Sequence, residues 1–476
     1  MATLDFTKFT LYRWRYIIGY TLIGLALAGL LIFAGLYVPG GISPEEMRAS
    51  VRSDSLSFSN PESLITTSLP YYLLQAAIFH FFGVYDFTIK LPSLILALFS
   101  AVGLILLLRR WFKPNIAVLA SMIAVTTGQF LFIAQNGTTG ILYVFWPVLL
   151  LLLGTQVTRG KRFRFLWKIL FSITAALSLY TPLGIYPLIA VLLATALHPH
   201  LRAAVRRLSK VKLTVVAGIA AIILAPLIWG IVVTPQLGLT LLGIPTTWPP
   251  DLLANVTTIF RQYFLFWEPS TTTLMTPVFG LGSTLIIILG LYRLFLTRET
   301  TRSYLIIFWF LFLIPIIILN PRFTSVGFVP AVLLLAAGLT SLIGYWYRLF
   351  PLNPYARIAG LVPLIILVGA LIGSGLDRYL YGYHYDPNTA TNFSKDLKLI
   401  PEDTERLVVS KDEQAFYQVV ANHRDNLVVS TEPSGDTFIA TRDGNRAFDG
   451  YEISRIVTTT YSNNSDRLYI YKKVSQ

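Results

Sequence analysis

Ten long apolar stretches dominate the chain and restrict it to a membrane. They cover about residues 16–38, 88–108, 114–134, 141–157, 168–198, 213–233, 276–292, 303–320, 324–345 and 356–375. A helix needs about 20 apolar residues to cross a hydrocarbon core about 30 Å thick, and most of these stretches meet that length. Only 13% of the chain is charged, against about 25% for a soluble domain.

The stretch 168–198 decides how many times the chain crosses. As one helix it would be roughly 45 Å long, well beyond the bilayer core. It contains "YTPLG" at 180–184, a Pro and Gly break, and basic clusters flank both of its ends. The pattern predicts two short helices with a tight turn at Pro182–Gly184, and about eleven spans in all.

The basic residues agree with that count. With the N-terminus inside, the short inner segments hold Lys8, Arg13 and Arg15, then Arg109, Arg110 and Lys113, then the clusters at 159–168 and 202–212, then Arg293, Arg298, Arg302, Arg348 and Arg357. The outer loops hold only Arg48, Arg52, Lys90, Arg261 and Arg322. This is the positive-inside pattern. The net charge of +14 therefore reports topology, and a nucleic-acid partner is not expected. The absence of cysteine excludes disulfides and a thiolate nucleophile.

Two outer loops are long, about 39–87 and 234–275. After about residue 375 the composition shifts. "RLVVS" (406–410), "DEQAFYQVVANHR" (412–424), "NLVVS" (426–430), "TFIATR" (437–442) and "DRLYIYKK" (466–473) alternate strand-like and helix-like patterns. The expected architecture is a polytopic α-helical membrane protein with outer juxtamembrane helices, divided into a transmembrane core (1–375) and a small C-terminal α/β domain outside the membrane (376–476).

The cores of the spans hold essentially no ionisable residue, which argues against a coupled transporter or proton pump. Polar candidates gather instead at the outer rim: Glu45, Glu46, Arg48, Arg52, Asp54, Glu62, His80, Asp86, Lys90, Gln135, Asn136, Arg261, Glu268 and Arg322. The adjacent carboxylates Glu45 and Glu46 form a pattern that suits a general base. A simpler reading is a helix start, with Ser43 as N-cap, Pro44 in the first turn and Glu46 three residues after the cap. Lys90 lies four residues after Asp86, a spacing that predicts an ion pair on a helix surface. No dense His or carboxylate cluster suggests a metal, so no cofactor is expected and a divalent ion has no support in the sequence.

Several segments resemble the polyprenyl-phosphate-dependent glycosyltransferases of the C-type superfamily, which includes protein O-mannosyltransferases and lipid A aminoarabinose transferases. "SPEEMRAS" (43–50) resembles that family's Pro-Asp-Glu-x-Arg-Tyr-Ala segment in the first outer loop. "LPYYLLQAAIFHFFGVYDFTIKLPSLILALFSAVGLILLLRRWF" (69–112), "AQNGTTGILYVFWPVLLLLL" (134–153) and "NPRFTSVGFVPAVLLLAAGL" (320–339) are similar to later segments, in the family's order.

The resemblance implies a glycosyltransferase acting at the outer face of a bacterial or archaeal plasma membrane. Its donor would be a lipid-linked sugar and its acceptor a glycan, lipid or protein. It implies catalytic roles for Glu45, as base, and for its neighbour Glu46. The substrate-binding candidates are Arg48, Arg322, Tyr71, Gln135 and Asn136, with Arg261 on the long outer loop 246–270 that would line or cover the acceptor site. The family usually has Asp at the first position, and many relatives have a Lys before the Pro-Leu-Tyr-Tyr run. Here the run reads "TSLPYY" (67–72), without that Lys. Two alternatives stay open: a non-catalytic membrane scaffold of the same descent, and a transporter of lipid-linked glycans.

Overall fold

The computed structural model describes residues 10–37, 41–57, 59–159, 163–206, 210–267, 275–349, 354–383, 385–424, 426–458 and 466–474. Each expected span has a helical counterpart: Thr10–Tyr37, Asp86–Trp111, the pair Pro114–Val125 and Gly128–Gln135, Leu142–Arg159, Arg164–Ser178, Ile185–Leu197, Lys210–Val233, Leu281–Leu296, Thr301–Leu319, Phe328–Leu349 and Pro354–Asp377. By length and composition seven helices among the described residues can cross a membrane, or eight with the bent pair counted as one span. Arg164–Ser178, Ile185–Leu197 and Leu281–Leu296 have 15, 13 and 16 residues, short of the roughly 20 that a straight crossing takes. Large apolar side chains such as Leu25, Ile222, Val232 and Ile365 are exposed on these helices, as a lipid-facing surface requires.

The long stretch breaks where the Pro and Gly predict, between Ser178 and Ile185. The turn is tight enough that a Cβ on Gly184 would lie 2.0 Å from the carbonyl oxygen of Ser178, so only glycine fits. The two halves pack on different partners. Arg164–Ser178 lies against Leu142–Arg159 and Lys210–Val233, and Ile185–Leu197 against Thr301–Leu319.

A second break was not expected. The stretch 114–134 bends by 62° between Val125 and Gly128. Two threonines produce the bend. The Thr126 hydroxyl turns back to the carbonyl of Met122, and Thr127 caps the next helix by accepting from the amide of Phe130. Side chains that offer the backbone local partners end one helix and start another.

At one end of the bundle a five-stranded sheet is formed by β1 (Arg406–Val408), β2 (Val428–Ser430), β3 (Thr437–Thr441), β4 (Tyr451–Thr458) and β5 (Arg467–Lys473), in the order β2-β1-β3-β5-β4. β1 runs parallel to β2 and β3, with the helix Lys411–Asn422 crossing over between β1 and β2. β5 is antiparallel to β3 and β4. β4, absent from the sequence reading, is a bulged edge strand that is mostly exposed, so burial leaves little alternation to read.

The sheet's apolar core is continuous with the helices beneath it. Leu407, Phe416, Tyr417 and Leu468 pack in one cluster with Ile42, Met47, Phe79 and Ile89. A backbone bridge joins Ile42 to Lys395, and the Lys395 ammonium sits between Glu413 and Asp443.

Asp466, just before β5, accepts from the amides of Asp396 and Arg467 at 2.9 and 3.0 Å. Burial pushes its carboxyl up to about 6, against the opposing pull of those amides and of Lys395. The folded state therefore holds this proton more tightly than the unfolded chain does. The resulting stabilisation is full below about pH 4 and is lost as pH rises to about 6, a difference of about 3 kcal/mol. Thermal melts of the wild type and Asp466→Asn between pH 4 and 7 should diverge over that window, with the wild type losing more stability as pH rises. Parallel curves would contradict the assignment.

Candidate active site

The helix Pro44–Asp54 begins as its sequence suggests. Ser43 Oγ accepts from the amide of Glu46, and Glu46 Oε2 accepts from the amide of Ser43 at 2.8 Å, a complete capping box with Pro44 in the first turn. Successive helical residues point about 100° apart, so the two carboxylates separate. Glu46, Ser50 and Ser53 share the inner face and are fully buried. Glu45, Arg48 and Arg52, at i, i+3 and i+7, share the exposed face. The adjacent pair is thus divided between the exposed and the buried face of one helix.

Glu46 acts as an anchor. Its Oε1 accepts from the amide of Gly137 at 2.6 Å and lies 3.8 Å from Lys90 Nζ. Gly137 is required there, because a Cβ would sit 2.6 Å from the carbonyl oxygen of Ile89. Lys90 is also fully buried. It donates to Gln135 Oε1 at 3.0 Å and lies 5.4 Å from the centre of the Phe393 ring. Gln135 Nε2 in turn donates to the hydroxyl of Tyr383 at 3.2 Å. The expected surface ion pair between Asp86 and Lys90 does not form. Asp86 accepts instead from the amide of Leu397 at 3.1 Å, and Lys90 turns inward, where the buried Glu46 carboxylate offers a stronger partner than a screened surface pair.

Glu45 opens onto a cleft of about 660 Å³ that is also lined by Arg48, Arg52, Tyr72, Thr138 and Thr139. The Arg52 guanidinium lies 5.9 Å from the centre of the Tyr72 ring. Its supporting wall is polar and satisfied: Ser53 donates to Gln75 Oε1 at 2.6 Å, and Gln75 Nε2 to the carbonyl of Ile89 at 3.0 Å. From the other side, Asn422 donates to Asp54 Oδ2 at 3.0 Å, and His423 Nε2 lies 3.7 Å from Asp54 Oδ1. The C-terminal unit thus docks on the last turn of the helix that carries Glu45.

The other expected site residues are dispersed. Tyr71 is buried behind the cleft, its hydroxyl 2.8 Å from Ser93 Oγ. Tyr72, which the sequence reading passed over, takes the lining position, although the "PYY" run offered both rings. Asn136 is buried, with its Oδ1 unpartnered among the described residues. Arg261 and Arg322 are exposed and do not line the cleft. Their segments are nevertheless tied together, since Thr324 donates to Gln262 Oε1 at 2.6 Å and the Tyr263 hydroxyl to the carbonyl of Thr324 at 3.2 Å. Phe323, next to Arg322, packs its ring on Tyr143. Glu268 lies outside the described residues. Among the described residues no group of three or more His, Asp or Glu could hold a metal ion.

The family model described as dolichyl-phosphate-mannose-protein mannosyltransferase matches residues 68–229. No curated protein sequence matches the chain. Among solved structures, ArnT from Cupriavidus metallidurans bound to undecaprenyl phosphate is similar at 11% identity and a TM-score of 0.54, over 96% of this chain and 98% of that one. The Archaeoglobus fulgidus oligosaccharyltransferase tethered with an acceptor peptide aligns at 13% identity and a TM-score of 0.49, over 87% of this chain and 64% of that one.

An integral membrane helix bundle with a C-terminal sheet, superposable on ArnT along nearly its whole length, has the ArnT fold. Over residues 68–229 the sequence also carries the pattern of the dolichyl-phosphate-mannose-protein mannosyltransferase model, so the chain resembles the polyprenyl-phosphate-sugar-dependent glycosyltransferases of the C-type.

Proposed function

We propose that the protein transfers a sugar from a polyprenyl-phosphate carrier to an acceptor at the outer membrane face, with Glu45 as the general base. The observation that carries this reading is the exposed Glu45 carboxylate in a cleft it shares with two guanidiniums. In the reaction the acceptor's hydroxyl or amine gives its proton to Glu45 while its oxygen or nitrogen attacks the anomeric carbon. The bond from that carbon to the phosphate oxygen breaks, with inversion, and polyprenyl phosphate leaves as an anion. Arg48 and Arg52 supply positive charge where the leaving phosphate develops its own.

In this reading Glu46, Lys90, Gln135 and Tyr71 position the cleft without touching the sugar. Arg261 and Arg322, on linked segments outside the lining, receive the acceptor or the lipid as it approaches. The division into a transglycosylating core (1–375) and an outer domain (376–476) follows from the same reading, with the outer domain bracing the catalytic helix through Asp54. ArnT was solved with undecaprenyl phosphate, which supports a carrier of that class for this chain as well.

The test is transfer of radiolabelled sugar from a pooled set of polyprenyl-phosphate sugars by the purified protein in lipid. Product formed with inverted anomeric configuration is the expected result. Folded protein that transfers from none of a broad donor pool would overturn the reading in favour of a scaffold.

A further inference from the structure

Outside the cleft, the least balanced group among the described residues is a guanidinium. Arg378 directly follows the helix Pro354–Asp377, and its Nη1 donates to the carbonyl of Pro277. Its Nε and Nη2 are buried and have no hydrogen-bond partner among the described residues. A buried cation with unfilled N–H groups is strongly unfavourable, and a native fold seldom leaves one so.

The same guanidinium lines a cavity of about 160 Å³, together with the hydroxyl side chains of Thr127, Ser283 and Ser374. Among the described residues no carboxylate lines it; Asp377, adjacent in sequence, is exposed and is not part of the lining. Gly280 and Gly282 form part of the wall, where the helix Leu281–Leu296 starts without a side-chain cap. Its first amides therefore have no intrahelical acceptor and add donors to those of Arg378. The cavity holds a handful of waters by volume, which suits one compact oxyanion. Ser374 is exposed at its mouth, on a helix whose Ile365 and Ile366 face outward as lipid-facing residues do.

We propose that Arg378, with Ser374, Ser283 and Thr127, binds the phosphate of an anionic membrane lipid at a site separate from the sugar-transfer cleft. The helix Gly128–Gln135 stands between the two. Gly128 lies at this cavity and Gln135 accepts from Lys90 of the Lys90–Glu46 anchor, about 10 Å apart along the helix axis. The site does not depend on the proposed transfer reaction.

Native mass spectrometry of the full-length protein in detergent tests it, with phosphatidylglycerol, phosphatidylcholine or inorganic phosphate added, alongside the melting temperature in each case. The wild type should retain one phosphatidylglycerol and melt higher with it, and show neither effect with phosphatidylcholine. Arg378→Gln should weaken retention about tenfold or more, the effect of losing charge-assisted hydrogen bonds. Since that variant could fold poorly, Ser374→Glu provides the second arm. Its carboxylate would occupy the cavity, so the protein should melt at or above the wild-type temperature without lipid and retain none specifically. Equal retention by all three proteins overturns the site. An equal shift with inorganic phosphate alone overturns the lipid assignment and identifies a free-phosphate site.

Discussion

Glu45→Gln is expected to lower kcat for sugar transfer by about 10²–10⁴-fold, the usual contribution of a general base, while leaving KM for the donor and the melting temperature nearly unchanged. The prediction is sharp because Glu45 is exposed on its helix and the anchoring is done by its neighbour. Removing its charge should therefore disturb chemistry without disturbing the fold. Glu45→Asp is the informative companion. It restores the residue usual in the resembling family and shortens the reach by one methylene, so it should retain most of the activity that the Gln variant loses. If Glu45→Gln transfers sugar at the wild-type rate, the base lies elsewhere and the cleft's carboxylate is only a solvated helix residue.

The sequence made the bundle legible because apolar length is a strong signal. Every stretch it marked became helix, and the break at Pro182–Gly184 fell where backbone chemistry demands it. The bend at Thr126–Thr127 was not legible, because it depends on which carbonyls two hydroxyls choose and not on Pro or Gly. In the site, the capping box could be read from "SPEE" alone. The direction of Lys90 could not. Spacing on one helix offered Asp86, while the true partner approaches from a different segment once the turn at Gly137 is packed. Tyr71 and Tyr72 show the same limit, since adjacent rings in a helix face different ways and only packing says which one meets the cleft.

The largest expected loss of stability follows from Lys90→Met. This change leaves the Glu46 carboxylate fully buried, still accepting from two amides but without its cation. Breaking one side of a buried ion pair costs about 3–5 kcal/mol. Glu46→Gln should also destabilise, for a separate reason. Each carboxylate oxygen accepts from a backbone amide, Ser43 on one side and Gly137 on the other, and a glutamine would turn an NH₂ toward one of those donors. The double variant Glu46→Gln, Lys90→Met should melt above the sum of the two single losses, because the stranded charge is then gone and only the mismatched cap remains. Strictly additive losses would mean the two side chains do not act on each other across their 3.8 Å separation. The same anchor fixes the rotation of the helix Pro44–Asp54 about its axis. Lys90→Met is therefore expected to lower kcat as well, even though Lys90 does not line the cleft, because the turn of helix that buries Glu46 is the one that aims Glu45 at the cleft.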